Sequence, residues 1–210
     1  MLARFSPYCQ RHRQAQRRHG HPLQTAIQAP EVAPWLRLIA KRQAENPNNE
    51  AFAILRGRWA SMVAHALATQ SKVDTGAPFV RIESLIAQQV VTVAGSADAD
   101  TVVRTALALA MHLQDDPRRY LSDTAVLYQM ARRVLKLAPR CIGRSWDHKK
   151  QTSRTFQRDL PARVLERLGM RLNEAFGGAA AQLYAIEQAR LPPEEVERRQ
   201  LAAGLQSLKG

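Results

Sequence analysis

Few residues of this chain stand at a spacing that chemistry demands. Asp147-His148 is the one place where an acid neighbours a histidine. On a strand such neighbours point to opposite faces, so they are poorly placed to work together on a metal or a proton. His-x-x-x-His, Gly-x-Ser-x-Gly, Cys-x-x-Cys and the phosphate-binding Gly-Lys-Thr run are all absent from the sequence. Cys141 lies between Arg140 and Arg144, which would lower a thiol pKa, but no base stands near it in sequence. His65 and His112 fall within or beside helical apolar stripes, where packing accounts for them. Cys9 and His12 have the spacing of a metal-ligand pair and supply two of the four ligands a structural zinc needs. The expectation is a chain that binds rather than catalyses, with no cofactor other than zinc as a candidate at Cys9 and His12.

The chemistry that the sequence does concentrate is positive charge. Thirty-one Lys and Arg oppose 18 Asp and Glu among 210 residues, a formal net charge of +13. Residues 1–22 hold Arg4, Arg11, Arg13, Arg17 and Arg18 with three histidines and no acid. Residues 132–158 hold Arg132, Arg133, Lys136, Arg140, Arg144, Lys149, Lys150, Arg154 and Arg158 against Asp147 alone. Residues 23–131 are nearly balanced, and beyond about 186 Glu and Arg alternate as on a solvated helix. A surplus gathered into two blocks suits a polyanionic partner, and each phosphate neutralised by such a block releases a counterion.

The elements that would carry these blocks read as helices. Val32, Trp35, Leu36 and Ile39 keep helical spacing up to Asn46-Pro47, after a linker over 24–34 that contains Pro30 and Pro34. Asn48 or Asn49 caps a helix with the stripe Phe52, Leu55, Trp59, Met62, Val63 and Ala66, and Gly76-Ala77-Pro78 breaks it. Ile82, Leu85, Ile86, Val90 and Val93 form the next stripe, closed by Gly95. Asp98 or Asp100 caps a helix to Asp116-Pro117, and Ser122 caps another that ends at Pro139. Residues 142–158 lose the 3.6 period and suit a short β-hairpin around a polar tip at 147–152. Val164, Leu165, Leu168, Leu172 and Phe176 mark a further helix, stopped by Gly177-Gly178. Helical segments over 179–190 and 193–207 follow, hinged at Pro192-Pro193.

The expected architecture is thus mainly α: a basic arm over 1–30, a helical core over 31–178, and C-terminal amphipathic helices over 179–210. Helix 98–115, helix 122–138 and the basic hairpin have the order of a helix-turn-helix with a wing. Nucleic-acid contact is expected from Arg132, Arg133, Lys136, Arg140, Arg144, Trp146, His148, Lys149, Lys150, Arg154 and Arg158, with Arg11, Arg13, Arg17 and Arg18 as a second grip. The longest apolar run, Ala106–Met111, is far below a membrane span, and the arginine-rich start lacks the apolar stretch of a secretory signal. Two cysteines in all suit a reducing cytoplasm.

The run Cys9-Gln-Arg-His12, followed by Arg17-Arg18-His19-Gly20-His21-Pro22-Leu23, resembles the zinc-binding segment of phage HNH-type proteins. There a Cys-x-x-His pair precedes a run similar to Arg-Arg-His-Gly-Asp-Pro-Leu, with a further Cys pair upstream. Residues 1–8 contain no Cys, and His21 stands where that run has Asp. The stretch from Asp115 to Phe176 is similar to uncharacterised proteins of phages and integrated mobile elements. The residues that carry this are Tyr128, Ala131-Arg132-Arg133-Val134, Trp146-Asp147-His148-Lys149, Arg158-Asp159-Leu160-Pro161 and Glu174-Ala175-Phe176-Gly177. The resemblance implies a genetic setting, not a reaction. The expected function is a DNA-binding protein of phage or mobile-element origin that grips double-stranded DNA electrostatically. The alternative is a helical scaffold, a homo-oligomer or partner binder, using Leu183, Leu201, Leu205 and Leu208 within 179–208.

Overall fold

The computed structural model describes residues 8–76, 78, 80–138, 143–147, 151–156, 160–192 and 194, and of 143–147 and 152–156 the backbone course alone. Among them are seven α-helices: α1 Gln10–His19, α2 Ala29–Glu45, α3 Glu50–Asp74, α4 Arg81–Ala94, α5 Ala99–Asp115, α6 Asp123–Leu135 and α7 Ala162–Ala189. Two short strands, β1 Gly143–Asp147 and β2 Thr152–Phe156, pair antiparallel with Gly143 opposite Phe156 and Asp147 opposite Thr152. The chain is mainly helical, and none of its described helices is long and apolar enough to cross a membrane.

α5 is the hub. Every residue from Val102 to His112 except Arg104 is buried, so this helix is enclosed on all sides. It packs against α7, α2, α6 and α3. Its N-terminus is fixed by the Asp98 side chain accepting the Thr101 backbone N–H at 2.7 Å, which also holds that carboxyl below its ordinary pKa. Asn49 caps α3 through the Ala51 N–H, and Ser122 caps α6 through the Ala125 N–H.

α6 and α7 cross at very close range. A Cβ placed on Gly169 would lie 2.2 Å from the Leu127 carbonyl oxygen, so at this position the crossing admits glycine alone. α7 does not stop at Gly177-Gly178 as the sequence led us to expect, but runs unbroken for 28 residues. Two glycines inside a helix cost on the order of 1 kcal/mol each. Burial of Phe176 and Ala180 on either side, at 0% and 1% exposure, more than offsets that. Residues 179–189 are therefore the end of a core helix, not the start of a separate unit.

The expected linker over 24–34 is also corrected. α2 begins at Ala29, with Pro30 in its first turn and a capping box in which Glu31 accepts the Gln28 backbone N–H. Ahead of it, Pro22, Gln24 and Ile27 are buried against the body. From residue 10 onward the first thirty residues belong to the fold.

Candidate nucleic-acid interface

Two buried glutamines determine where α1 lies. Gln24, 1% exposed, donates from Nε2 to the Thr25 and Arg119 carbonyls at 2.9 and 3.1 Å, and its Oε1 accepts the Leu121 N–H at 3.0 Å. Gln129, 4% exposed on α6, accepts the buried Ile27 N–H at 3.2 Å and donates to the Thr25 carbonyl at 3.2 Å. These two bonds orient the amide, leaving its NH2 3.3 Å from His19 Nδ1. An irregular segment with no sheet or helix partner must satisfy its backbone groups through side chains when buried, and these glutamines do so.

Arg119 completes the clamp. It donates to Glu31 Oε2 at 2.7 Å and to the Ala26 carbonyl at 3.1 Å. Burial works to raise the Glu31 carboxyl, but hydrogen bonds from Arg119 and the Gln28 N–H hold it below its ordinary value. Beneath them His112 Nδ1 lies 2.9 Å from the Tyr120 hydroxyl in a buried pair. Burial pushes the imidazole below its ordinary pKa and the phenol above its own.

Gly20 lets the two elements meet. It ends α1 with φ at 81°, and a Cβ there would lie 2.8 Å from the Thr124 carbonyl carbon and oxygen. Arg132 of α6 reaches back to donate to the Arg18 carbonyl at 3.2 Å. α1 thereby lies along α6, and arginines more than 100 residues apart in sequence come together. Arg17, Arg18 and Arg132 line one cavity of about 410 Å3 together with Gln14, Leu160, Pro161 and Ala162. Arg13 and Arg17 line a second of about 280 Å3 with Gln10 and Gln14, and the two cavities share Gln14 and Arg17.

The expected contact residues fall into three groups. Arg11, Arg13, Arg17 and Arg18 are exposed on α1, Arg132 and Arg133 are half-buried on the last turn of α6, and Lys136 is exposed at its C-cap. Arg144 and Trp146 belong to β1 and Arg154 to β2. Arg140, His148, Lys149, Lys150 and Arg158 lie outside the described residues. Of the scaffold residues, Leu183 packs against the core, whereas Leu201, Leu205 and Leu208 lie outside the described residues.

The helix-turn-helix reading gains no support from the packing of α6. Ala125, Tyr128, Gln129, Met130 and Ala131 are buried, and the α1 end at Gly20 abuts Thr124 and Ala125. A recognition helix presents its N-terminal half to a groove, and in that half of α6 Ala125, Tyr128 and Gln129 are buried while Asp123 is exposed.

Cys9 Sγ and His12 Nδ1 lie 3.3 Å apart on an exposed surface. Among the described residues no set of three His, Cys, Asp or Glu side chains gathers around them or elsewhere. His19 is directed at Gln129, and His21 Nδ1 accepts the Leu23 N–H at 3.2 Å. The described residues do not fit a closed four-ligand zinc site.

Sequence reasoning missed Gln24, Gln129, Arg119, Glu31 and Gly20. A glutamine at an inward position of the α6 stripe was the one available signal for a buried polar anchor. No family model, characterised protein or solved structure matches the chain.

Proposed function

We propose that this protein binds nucleic acid, with double-stranded DNA the expected form, through the cationic surface shared by α1 and the end of α6, and that it does so without catalysis. The observation that supports this is the convergence of Arg13, Arg17, Arg18 and Arg132 at two cavities that share Gln14 and Arg17, which draws on both basic blocks of the sequence. Guanidinium groups are suited to phosphate because their planar forks match its oxygens and their charge does not titrate. A concave surface of one sign also focuses the field and speeds encounter with a polyanion. Contacts of this kind go to the backbone and carry no sequence information in themselves. The strands and the basic residues around them extend this grip in the same reading.

The test is fluorescence anisotropy on a labelled duplex across a salt series. Each phosphate contacted contributes about −0.9 to the slope of log K against log salt. Replacing Arg13, Arg17 and Arg18 together by Gln is expected to weaken binding at least tenfold and make that slope shallower. Replacing Arg37 and Arg81, exposed on α2 and α4, is expected to change affinity by less than threefold. Absence of binding at about 50 mM salt, where such contacts are strong, rejects the reading.

A further inference from the structure

Among the described α-helices, α1 alone has no fully buried residue. Its half-buried positions His12, Ala15 and His19 recur at i, i+3 and i+7 and form the face turned to the body. Gln10, Arg13, Gln14 and Arg17 are exposed, stand at i, i+3, i+4 and i+7, and together line a cavity of about 280 Å3. At about 100° per residue this second face lies about 180° round the helix from the first. None of its four side chains has a hydrogen-bond or ion-pair partner among the described residues. Residues 8–22 contain no Asp or Glu, so no carboxylate of this segment competes for the guanidinium groups or repels a polyanion. The bonds that tie α1 to α6 lie at Arg18 and His19, toward its C-terminal end.

These residue types have specific partners on base edges. Arg pairs in two-point fashion with guanine O6 and N7, and Gln with adenine N6 and N7, all in the major groove. That groove, roughly 12 Å wide, admits one α-helix. Four side chains from Gln10 to Arg17 span roughly 10 Å of helix, about three base-pair steps. A face built only to hold phosphate has no use for paired glutamines, which bring no charge.

We infer that α1 enters the major groove of DNA and reads base sequence with Gln10, Arg13, Gln14 and Arg17. The inference rests on the nucleic-acid reading and adds base recognition to backbone contact. It also fixes the duplex as B-form DNA, because the major groove of an RNA helix is too deep and narrow for side chains to read.

The experiment selects duplexes from a randomised pool against the full chain, then compares the selected duplex with a scrambled one by fluorescence anisotropy. The selected duplex is expected to bind at least about tenfold more tightly. Gln10→Ala and Gln14→Ala remove no charge and no described contact of the fold. Each is expected to cut the preference by about fivefold or more, with affinity for the scrambled duplex held within about twofold. Arg11→Gln, to the side of this face, is expected to weaken both duplexes alike. Replacing the purines of the selected site by 7-deaza forms, which lack the N7 acceptor, is expected to abolish the preference. A pool that yields no preferred sequence overturns the inference and leaves general binding standing. So does a preference that survives in both Gln variants or in the 7-deaza duplex, or an RNA duplex bound as tightly as the selected DNA. If no duplex binds at all, the broader reading fails with it.

Discussion

Gln129→Leu is the most direct test of how the interface is assembled, because it removes no charge from it. The substitution deletes the acceptor of the Ile27 N–H and the donor to the Thr25 carbonyl and His19. The Thr25 carbonyl retains Gln24 Nε2 at 2.9 Å, so its loss is minor. The Ile27 N–H is buried and has no second acceptor among the bonds described, and an unsatisfied buried donor costs about 1–3 kcal/mol. Adding roughly 1 kcal/mol for the other two bonds gives about 2–4 kcal/mol. That cost falls first on the segment Gln10–Ile27, whose member of the hydrophobic core is Ile27, so it is expected as local opening more than as global unfolding. Native-state amide exchange over residues 22–28 is expected to quicken by about 30-fold or more, since 1.4 kcal/mol is tenfold. Exchange in α5 is expected to change far less. Duplex affinity is expected to fall severalfold in the same variant, because α1 no longer holds its arginines beside Arg132. Unchanged protection over 22–28, or an equal loss of protection in α5 and α7, refutes the reasoning that these glutamines place α1.

Three further outcomes follow from the packing and the ionisation. Gly169→Ala puts a Cβ 2.2 Å from the Leu127 carbonyl, forcing α6 and α7 apart, and is expected to cost on the order of 3 kcal/mol or more. Gly178→Ala meets nothing within 4 Å and is expected to raise Tm slightly, gaining up to about 1 kcal/mol; a Tm for G169A equal to that of G178A removes the close-crossing argument. The second outcome concerns Gly20→Ala, which strains a backbone at φ 81° and meets the Thr124 backbone at 2.8 Å. It is expected to free α1 as Gln129→Leu does, with exchange over 10–20 as the readout. Third, the folded His112 pKa lies below its ordinary value of 6.5, so the unfolded chain binds the extra proton first. Stability from this group is present above pH 6.5 and lost as pH falls through the folded pKa. The lowered carboxyls of Glu31 and Glu83 extend the loss below about pH 4.5 with the same sign. Tm should decline from pH 7.5 to 5.5, and His112→Gln should flatten that decline. A wild-type Tm that is constant over this range contradicts the buried, neutral imidazole.

Helix boundaries were the most legible part of this molecule, because capping chemistry is local. Asn49, Asp98 and Ser122 each cap the helix that their side chains predict, and Asp116-Pro117 ends α5 where a residue before proline must leave the α region. Where local signals competed with packing, packing prevailed. Gly177-Gly178 breaks a helix in isolation but not between Phe176 and Ala180, both seated in the core. Pro30 and Pro34 suggested a linker, yet Pro30 sits in the first turn of α2, where its missing N–H costs nothing, and Pro34 is carried inside the helix.

By itself, the sequence established a mainly helical chain with its surplus charge in two blocks, since composition and periodicity are properties of the residues alone. It contained nothing to show that Arg17 and Arg132 face one cavity. That is decided by Gln24, Gln129, Arg119 and Gly20, whose partners lie about 90 to 105 residues away along the chain. Hydrogen bonds over such separations depend on which helices enclose α5, and no local pattern records them. The docking of α1 brings its arginines beside the end of α6, so the candidate interface is a product of tertiary structure alone.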